Sequence, residues 1–306
     1  MGHAGILEHR AYDTVPDSYY DLSEVDGALV KSHTRPLSPD PPSTLLTRKA
    51  NATMVMLARN SDLDGVIRSV KDAEDRFNRR AGYPWVFLNE EPFSDEFKRR
   101  ISNIIRSPVQ FGLVPRDHWV QPDWIDEDRA SAARNKMVED NIIYGGARAS
   151  PRSMRYRNMC RFNSGFFYRH PLLQQYRYYW RVEQALPPLS SRASRLNAPI
   201  GRPDVHFHCD MRFDPFLYMQ DHNKTYGFTI TMYEFEATIP TLWSAVREFV
   251  KKYPEHVAKD NALDFISDDD GQHFNRCHFW SNFEIADMDF WRGEAYAAFF
   301  DHLDQK

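Results

Sequence analysis

The sequence holds only three cysteines in 306 residues, Cys160, Cys209 and Cys277, and no two lie close together. That spacing excludes the paired-cysteine metal motifs, and it leaves open one bridge with a free thiol or three reduced thiols. No uninterrupted apolar run approaches the ~20 residues of a membrane-spanning helix. The N-terminus is polar and lacks a signal-peptide core, so the chain reads as soluble and without a visible address. An excess of one charge is missing too. The 39 basic and 43 acidic residues give a net charge of −4, which argues against a nucleic-acid partner, since such a partner asks for a broad basic face. Internal repeats are absent.

What is present is a hydrophobic fraction of 42%, enough for a substantial core, and an aromatic fraction of 14%, which suits carbohydrate or nucleotide contact as well as packing. Residues 1–49 are polar, with prolines at 36, 39, 41 and 42, and read as a flexible stem. Apolar runs at 54–57, 85–88 and 109–113 predict buried strands. Asn60-Ser61-Asp62 offers N-cap chemistry, after which Leu63, Val66, Ile67, Val70 and Phe77 keep a helical period. Further helices are expected over 95–106 and 126–139. Strand and helix alternate over the first 140 residues, the pattern of an open α/β sheet, whose ligands bind at the carboxyl ends of strands. Arg59, Asn60 and Asn89 fall at such ends. Later, a helix is expected over 172–180, a strand over 226–232 and a helix over 238–253, while 187–203 has linker composition.

The run Cys277-His278-Phe279-Trp280-Ser281-Asn282-Phe283-Glu284-Ile285 sets a glutamate among aromatic residues. Carboxylates in apolar company have a partner or a task, and an acid beside aromatic rings is common where sugars are handled. Glu284 could instead be a structural acid bonded to backbone or arginine. Asp268-Asp269-Asp270 imitates an Asp-x-Asp metal motif, but a charged, loop-like triplet is more often a solvated turn. Trp119, Trp124 and Trp280 could stack on a base or sugar, or simply pack. Asn51-Ala52-Thr53 and Asn223-Lys224-Thr225 fit the N-glycosylation pattern, which also arises by chance.

Eight segments, in order, resemble the fungal α-1,2-mannosyltransferases of glycosyltransferase family 15, Golgi enzymes that extend O-linked and N-linked mannan. They are 51–60 (NATMVMLARN), 75–80 (DRFNRR), 85–89 (WVFLN), 118–126 (HWVQPDWID), 159–167 (MCRFNSGFF), 178–183 (YYWRVE), 214–216 (DPF) and 277–285 (CHFWSNFEI). The resemblance covers most of residues 50–304. It implies one GT-A-like α/β domain at 50–306, with a mixed, mostly parallel central sheet flanked by helices. It also implies a nucleotide-binding part at about 50–145 and an acceptor and metal part at about 146–306. The donor it implies is GDP-mannose, the acceptor a mannoside on a glycoprotein, the cofactor Mn²⁺, and the reaction a retaining one.

Carried over, Glu284 matches the glutamate proposed as nucleophile, Glu183 the metal-binding glutamate and Tyr156 a tyrosine of the substrate site. Arg59 falls in the nucleotide-binding region, and Arg161 joins it as a cation suited to phosphate. Without the resemblance, Glu183 reads as an ion-pair partner of Arg181, and Arg161 as one that fixes an extended segment around Cys160-Phe162. Glu284→Gln is expected to abolish transfer with little loss of folding.

The sequence departs from the family pattern in four places: no membrane anchor precedes the domain, 145–155 is longer, 185–205 intervenes before Cys209-Asp210, and the family's later histidine metal ligand has no match up to Lys306. The expectation is a membrane link only through an anchor absent from this chain, weaker Mn²⁺ binding and, as the rival reading, an impaired homologue that binds GDP-mannose or a partner without turnover.

Overall fold

A computed structural model of the chain describes residues 48–140, 151–184, 210–211 and 213–306. The expected stem, but for residues 48 and 49, lies outside them, as do the expected insertion at 185–205 and Cys209. In chain order the main elements are β1 (Ala52–Leu57), α1 (Leu63–Ala73), β2 (Trp85–Asn89), α2 (Asp95–Ser102), β3 (Val109–Leu113), α3 (Glu127–Glu139), α4 (Pro151–Gly165), β4 (Tyr178–Arg181), α5 (Pro215–Asp221), β5 (Tyr226–Gly227), β6 (Thr231–Tyr233), α6 (Leu242–Lys252), β7 (Cys277–Phe279), β8 (Ile285–Asp287) and α7 (Glu294–Asp304).

Six strands form one sheet in the order β3-β2-β1-β4-β8-β5, and β6 and β7 pair in a separate ribbon. β1, β2, β3 and β4 run parallel, whereas β8 runs antiparallel to both β4 and β5. The sheet is mixed and mostly parallel, as expected. β1 and β2 are near-continuous apolar runs because both their faces are covered. One face holds Met54, Met56, Trp85, Phe87 and Trp180 against α1, α2 and α5. The other holds Val55, Val86, Leu88 and Tyr179 against α4 and α7 through Phe162, Phe166 and Phe300.

Local sequence explains most of these elements. Val66 and Val70 of α1 are fully buried and Leu63 nearly so. Beyond α1 the chain continues as a π-helical stretch, Glu74–Asn78, and one last turn closed by Gly82 at φ +69°. Glycine suits that left-handed stop because it has no Cβ. Ser94 caps α2 by accepting from Phe97 N at 3.2 Å, and the helix ends at Ser102, short of the expected 106.

Three expectations are corrected. The helix expected over 172–180 is instead a short turn, Pro171–Leu173, followed by β4. Aromatic residues favour strands, and Tyr178, Tyr179 and Trp180 gain cover on both faces between β1 and β8. The strand expected over 226–232 divides, β5 joining the main sheet and β6 the ribbon. The segment Cys160-Phe162, expected to be extended, lies inside α4.

Candidate active site

Strand alternation builds the site. Successive side chains of a strand point to opposite faces. Along β4 and just past its end, Tyr178, Trp180 and Val182 enter one core, so Tyr179, Arg181 and Glu183 share the other face. Tyr179 lies opposite Ala286 of β8, and Ala286 lies opposite Tyr226 of β5. Arg181 N donates to Glu284 O at 2.8 Å, which sets Glu284 beside Arg181 just before β8. The single methyl of Ala286 separates two tyrosines in one row across the sheet, and both phenols reach past it.

They reach Glu284. Tyr179 Oη donates to Oε1 at 2.6 Å, and Tyr226 Oη donates to Oε2 at 2.9 Å. Arg181 Nη2 pairs with Oε1 at 2.8 Å. The carboxylate side chain is 5% exposed and the guanidinium 11%. Burial, reinforced by the charge of Glu284, pushes both phenols well above the ordinary tyrosine range, so they remain donors. Burial works against the Arg181 cation. Glu284, Tyr179 and Glu183 together outweigh it and hold the guanidinium more firmly protonated.

This cluster forms part of the wall of a cavity of about 1260 Å³ whose lining also includes Tyr156, Glu183, Trp280 and His278. Of the residues singled out in the sequence, Glu284, Glu183 and Tyr156 therefore meet in one cavity. Arg161 is not brought there. Its guanidinium makes a bidentate pair with Asp304, both bonds at 2.7 Å, and lies over Phe166 at 4.6 Å. Arg59 sits just beyond β1, bound to Asp62 through Nε at 2.9 Å and Nη2 at 3.0 Å, and is not part of the cavity lining. Trp119 is core, and Trp124 is exposed with its indole N–H on Asp304 O. Asp269 is bound by His273, which holds its carboxyl down to about 2.

The sequence reading missed three features here: the residues Tyr179 and Tyr226, and the pairing of Arg181 with Glu284. A signal for two of them was available, because Tyr179, Arg181 and Glu183 alternate with Tyr178, Trp180 and Val182 in a polar-apolar pattern.

Possible metal donors at the cavity are the Glu183 carboxylate, the Gln184 carbonyl oxygen and the His278 imidazole. Gln184 Oε1 and His278 Nδ1 are buried without a hydrogen-bond partner among the described residues. Among the described residues no group of three His, Cys, Asp or Glu side chains could hold a metal. The donors suit a hard divalent cation that takes its remaining ligands from a diphosphate and water.

Comparison with known proteins places the chain. The model of the glycolipid 2-alpha-mannosyltransferase family matches residues 19–188 and 200–306. The chain belongs to this family. It is 49% identical over 257 residues to glycolipid 2-alpha-mannosyltransferase 2 of Candida albicans, covering 84% of this chain and 50% of that protein. It is 47% identical over 258 residues to the alpha-1,2 mannosyltransferase KTR1 of Saccharomyces cerevisiae, covering 84% of this chain and 59% of that one. Its fold matches the crystal structure of core-mannan synthase A from Aspergillus fumigatus in its Mn/GDP form, with a TM-score of 0.73 and 33% identity over 94% of this chain and 68% of that one. The chain thus spans between half and two thirds of the length of these relatives. The unmatched residues 189–199 fall within the stretch whose composition sets it apart from its surroundings.

Proposed function

We propose that this chain carries the donor-sugar site of a retaining α-1,2-mannosyltransferase, which moves mannose from GDP-mannose to the 2-hydroxyl of a terminal mannose on a glycoprotein glycan. The observation that carries this reading is the anionic Glu284, pinned by three donors at the wall of a large, aromatic-rich cavity. Such a carboxylate can stabilise or attack an oxocarbenium-like anomeric centre, which is what retention of configuration asks of it. The relatives named as α-1,2-mannosyltransferases and the Mn/GDP-bound structural neighbour support the same donor chemistry. They favour it over binding without turnover.

In this reading Glu183 holds Mn²⁺, and Gln184 and His278 of the same cavity lining are the further donors to test. The cation, when bound, neutralises charge on the departing diphosphate. Tyr156, 41% exposed on α4, offers its ring to the sugar from the lining of the same cavity. Arg59 and the buried Asn89, whose Oδ1 has no hydrogen-bond partner, stand at the ends of β1 and β2, where an open parallel sheet receives its nucleotide. Arg161, already neutralised by Asp304, serves to tie α4 to α7. Extension of mannan in the Golgi lumen is the setting this chemistry fits. Among the described residues no helix is long and apolar enough to cross a membrane.

The test is mannose transfer from GDP-mannose to methyl α-mannoside, with Mn²⁺ and with EDTA, for the unaltered chain and for Glu284→Gln. The expected result is a Mn²⁺-dependent α-1,2 disaccharide and a loss of about 10²–10³-fold in kcat for the variant, the scale of removing a preorganised charge-stabilising group. Near-normal turnover of Glu284→Gln would sink the role given to Glu284. Folding must be followed alongside, because glutamine removes the charge that Glu284 sets 2.8 Å from the buried Arg181.

A further inference from the structure

The two oxygens of Glu284 are held differently. Each carboxylate oxygen offers two lone-pair directions, about four in all. Oε1 takes two donors, Tyr179 Oη at 2.6 Å and Arg181 Nη2 at 2.8 Å. Oε2 takes one, Tyr226 Oη at 2.9 Å. Among the described residues nothing fills the fourth direction, which belongs to Oε2, on a residue that lines the cavity.

We propose that Oε2 is the oxygen that addresses the positive charge developing on the transferred sugar, and that Tyr226 is the positioning residue that holds it on line. This rests on the mannosyl-transfer reading of the site. Tyr179 and Arg181 act on the other oxygen and fix the plane of the carboxylate from β4. Tyr226 acts from β5, on the far side of Ala286, so the group is gripped from both neighbours of β8.

The Tyr226 ring is itself fixed, lying edge-on to Trp291 with centroids 6.0 Å apart and tilted against Phe279 at 5.7 Å. Phenylalanine at 226 would keep this packing and delete one hydrogen bond. Deleting the Tyr179 hydroxyl is a different perturbation, because Arg181 still holds Oε1. The two tyrosines therefore separate orientation of the reacting oxygen from general support of the carboxylate.

The experiment compares Tyr226→Phe and Tyr179→Phe with the unaltered chain in two ways. Steady-state transfer from GDP-mannose is expected to show kcat reduced about 10- to 100-fold in Tyr226→Phe, the scale set by loss of reacting geometry, with the donor KM within about twofold. Tyr179→Phe is expected to lose several-fold less. Crystal structures of both variants are expected to show the Glu284 carboxylate turned away from its parental position in Tyr226→Phe and held in place in Tyr179→Phe. Equal losses in kcat, or an unmoved carboxylate in Tyr226→Phe, would overturn the assignment. If the unaltered chain transfers no mannose, the parent reading fails, and the two crystal structures still decide whether Tyr226 positions Oε2.

Discussion

Replacing Arg181 by methionine tests whether the charged cluster is a true interior feature. Methionine keeps much of the length and apolar surface of the stem, so the change is mostly one of charge. The ion pair closes at 2.8 Å with 11% and 5% of the two side chains exposed, so solvent screens it little. Charge centres about 4 Å apart at an effective dielectric near 20 attract by about 4 kcal/mol. Breaking a buried pair from one side costs about 3–5 kcal/mol, because the other charge is left behind. Glu284 keeps two phenol donors in the variant, which places the loss near the lower end, about 3 kcal/mol. Glu284→Gln strands Arg181 in turn and should cost a similar amount. The double variant Arg181→Met with Glu284→Gln strands neither, so it should be at least as stable as either single variant, a coupling of about 3 kcal/mol or more. Urea unfolding of the four proteins at neutral pH measures this cycle. Additive effects, with coupling within about 0.5 kcal/mol of zero, would refute the reasoning, since that is how independent sites behave.

Two further substitutions probe the packing around the site. Glu74 is 1% exposed, its Oε1 accepts from Asn78 at 2.7 Å and Trp85 at 2.8 Å, and its Oε2 is without a partner; burial raises its pKa above the usual carboxylate value. A carboxyl that is raised on folding favours the native state at low pH and loses that contribution as pH climbs through the folded value. Glu74→Gln should therefore be at least as stable as the parent at neutral pH, with the difference shrinking toward pH 4; a pH-independent difference in urea midpoints would count against it. A Cβ at Gly165 would lie 2.0 Å from the ring of Phe300, which is 8% exposed. Gly165→Ala should cost about 1–3 kcal/mol by forcing α4 and α7 apart, and an unchanged Tm would show that the ring has room to move.

The parallel half of the fold was legible because its signals are local. The apolar runs of β1, β2 and β3, and the helical period of α1, each sit within a dozen residues. The site was legible only in part. Glu284 stood out in its aromatic run and, with Glu183 and Tyr156, matched the family resemblance, and the structure brings the three to one cavity. Tyr179 and Tyr226 could not be found that way, because what recruits them is register: each is Ala286's partner on one side of β8. Arg161 misled for the opposite reason. Its motif is compact, but its bidentate partner Asp304 stands 143 residues away. A helix was expected over β4 because the segment between Phe166 and Glu183 is dense in aromatics without a clear alternation until Tyr178 is taken as the start.

The two faces of β4 bear on the role proposed for the charged cluster. At adjacent positions, the chain places Tyr178, Trp180 and Val182 in one core and Tyr179, Arg181 and Glu183 toward the cavity. Both faces are covered, so apolar side chains would have served on either, and a buried ion pair gains nothing in stability over a well-packed apolar pair. The pair also depends on distant sequence, since Arg181 and Glu284 meet only when β8 inserts antiparallel between β4 and β5. A charge that is costly to bury, satisfied by donors from two flanking strands that reach it past a single alanine methyl, is an arrangement that packing alone does not require. The face that carries it is the one that opens on the cavity, and the opposite face of the same strand carries no charge at all. That asymmetry agrees with the role proposed for Glu284, a carboxylate set to meet a positive centre, better than with a demand of sheet stability.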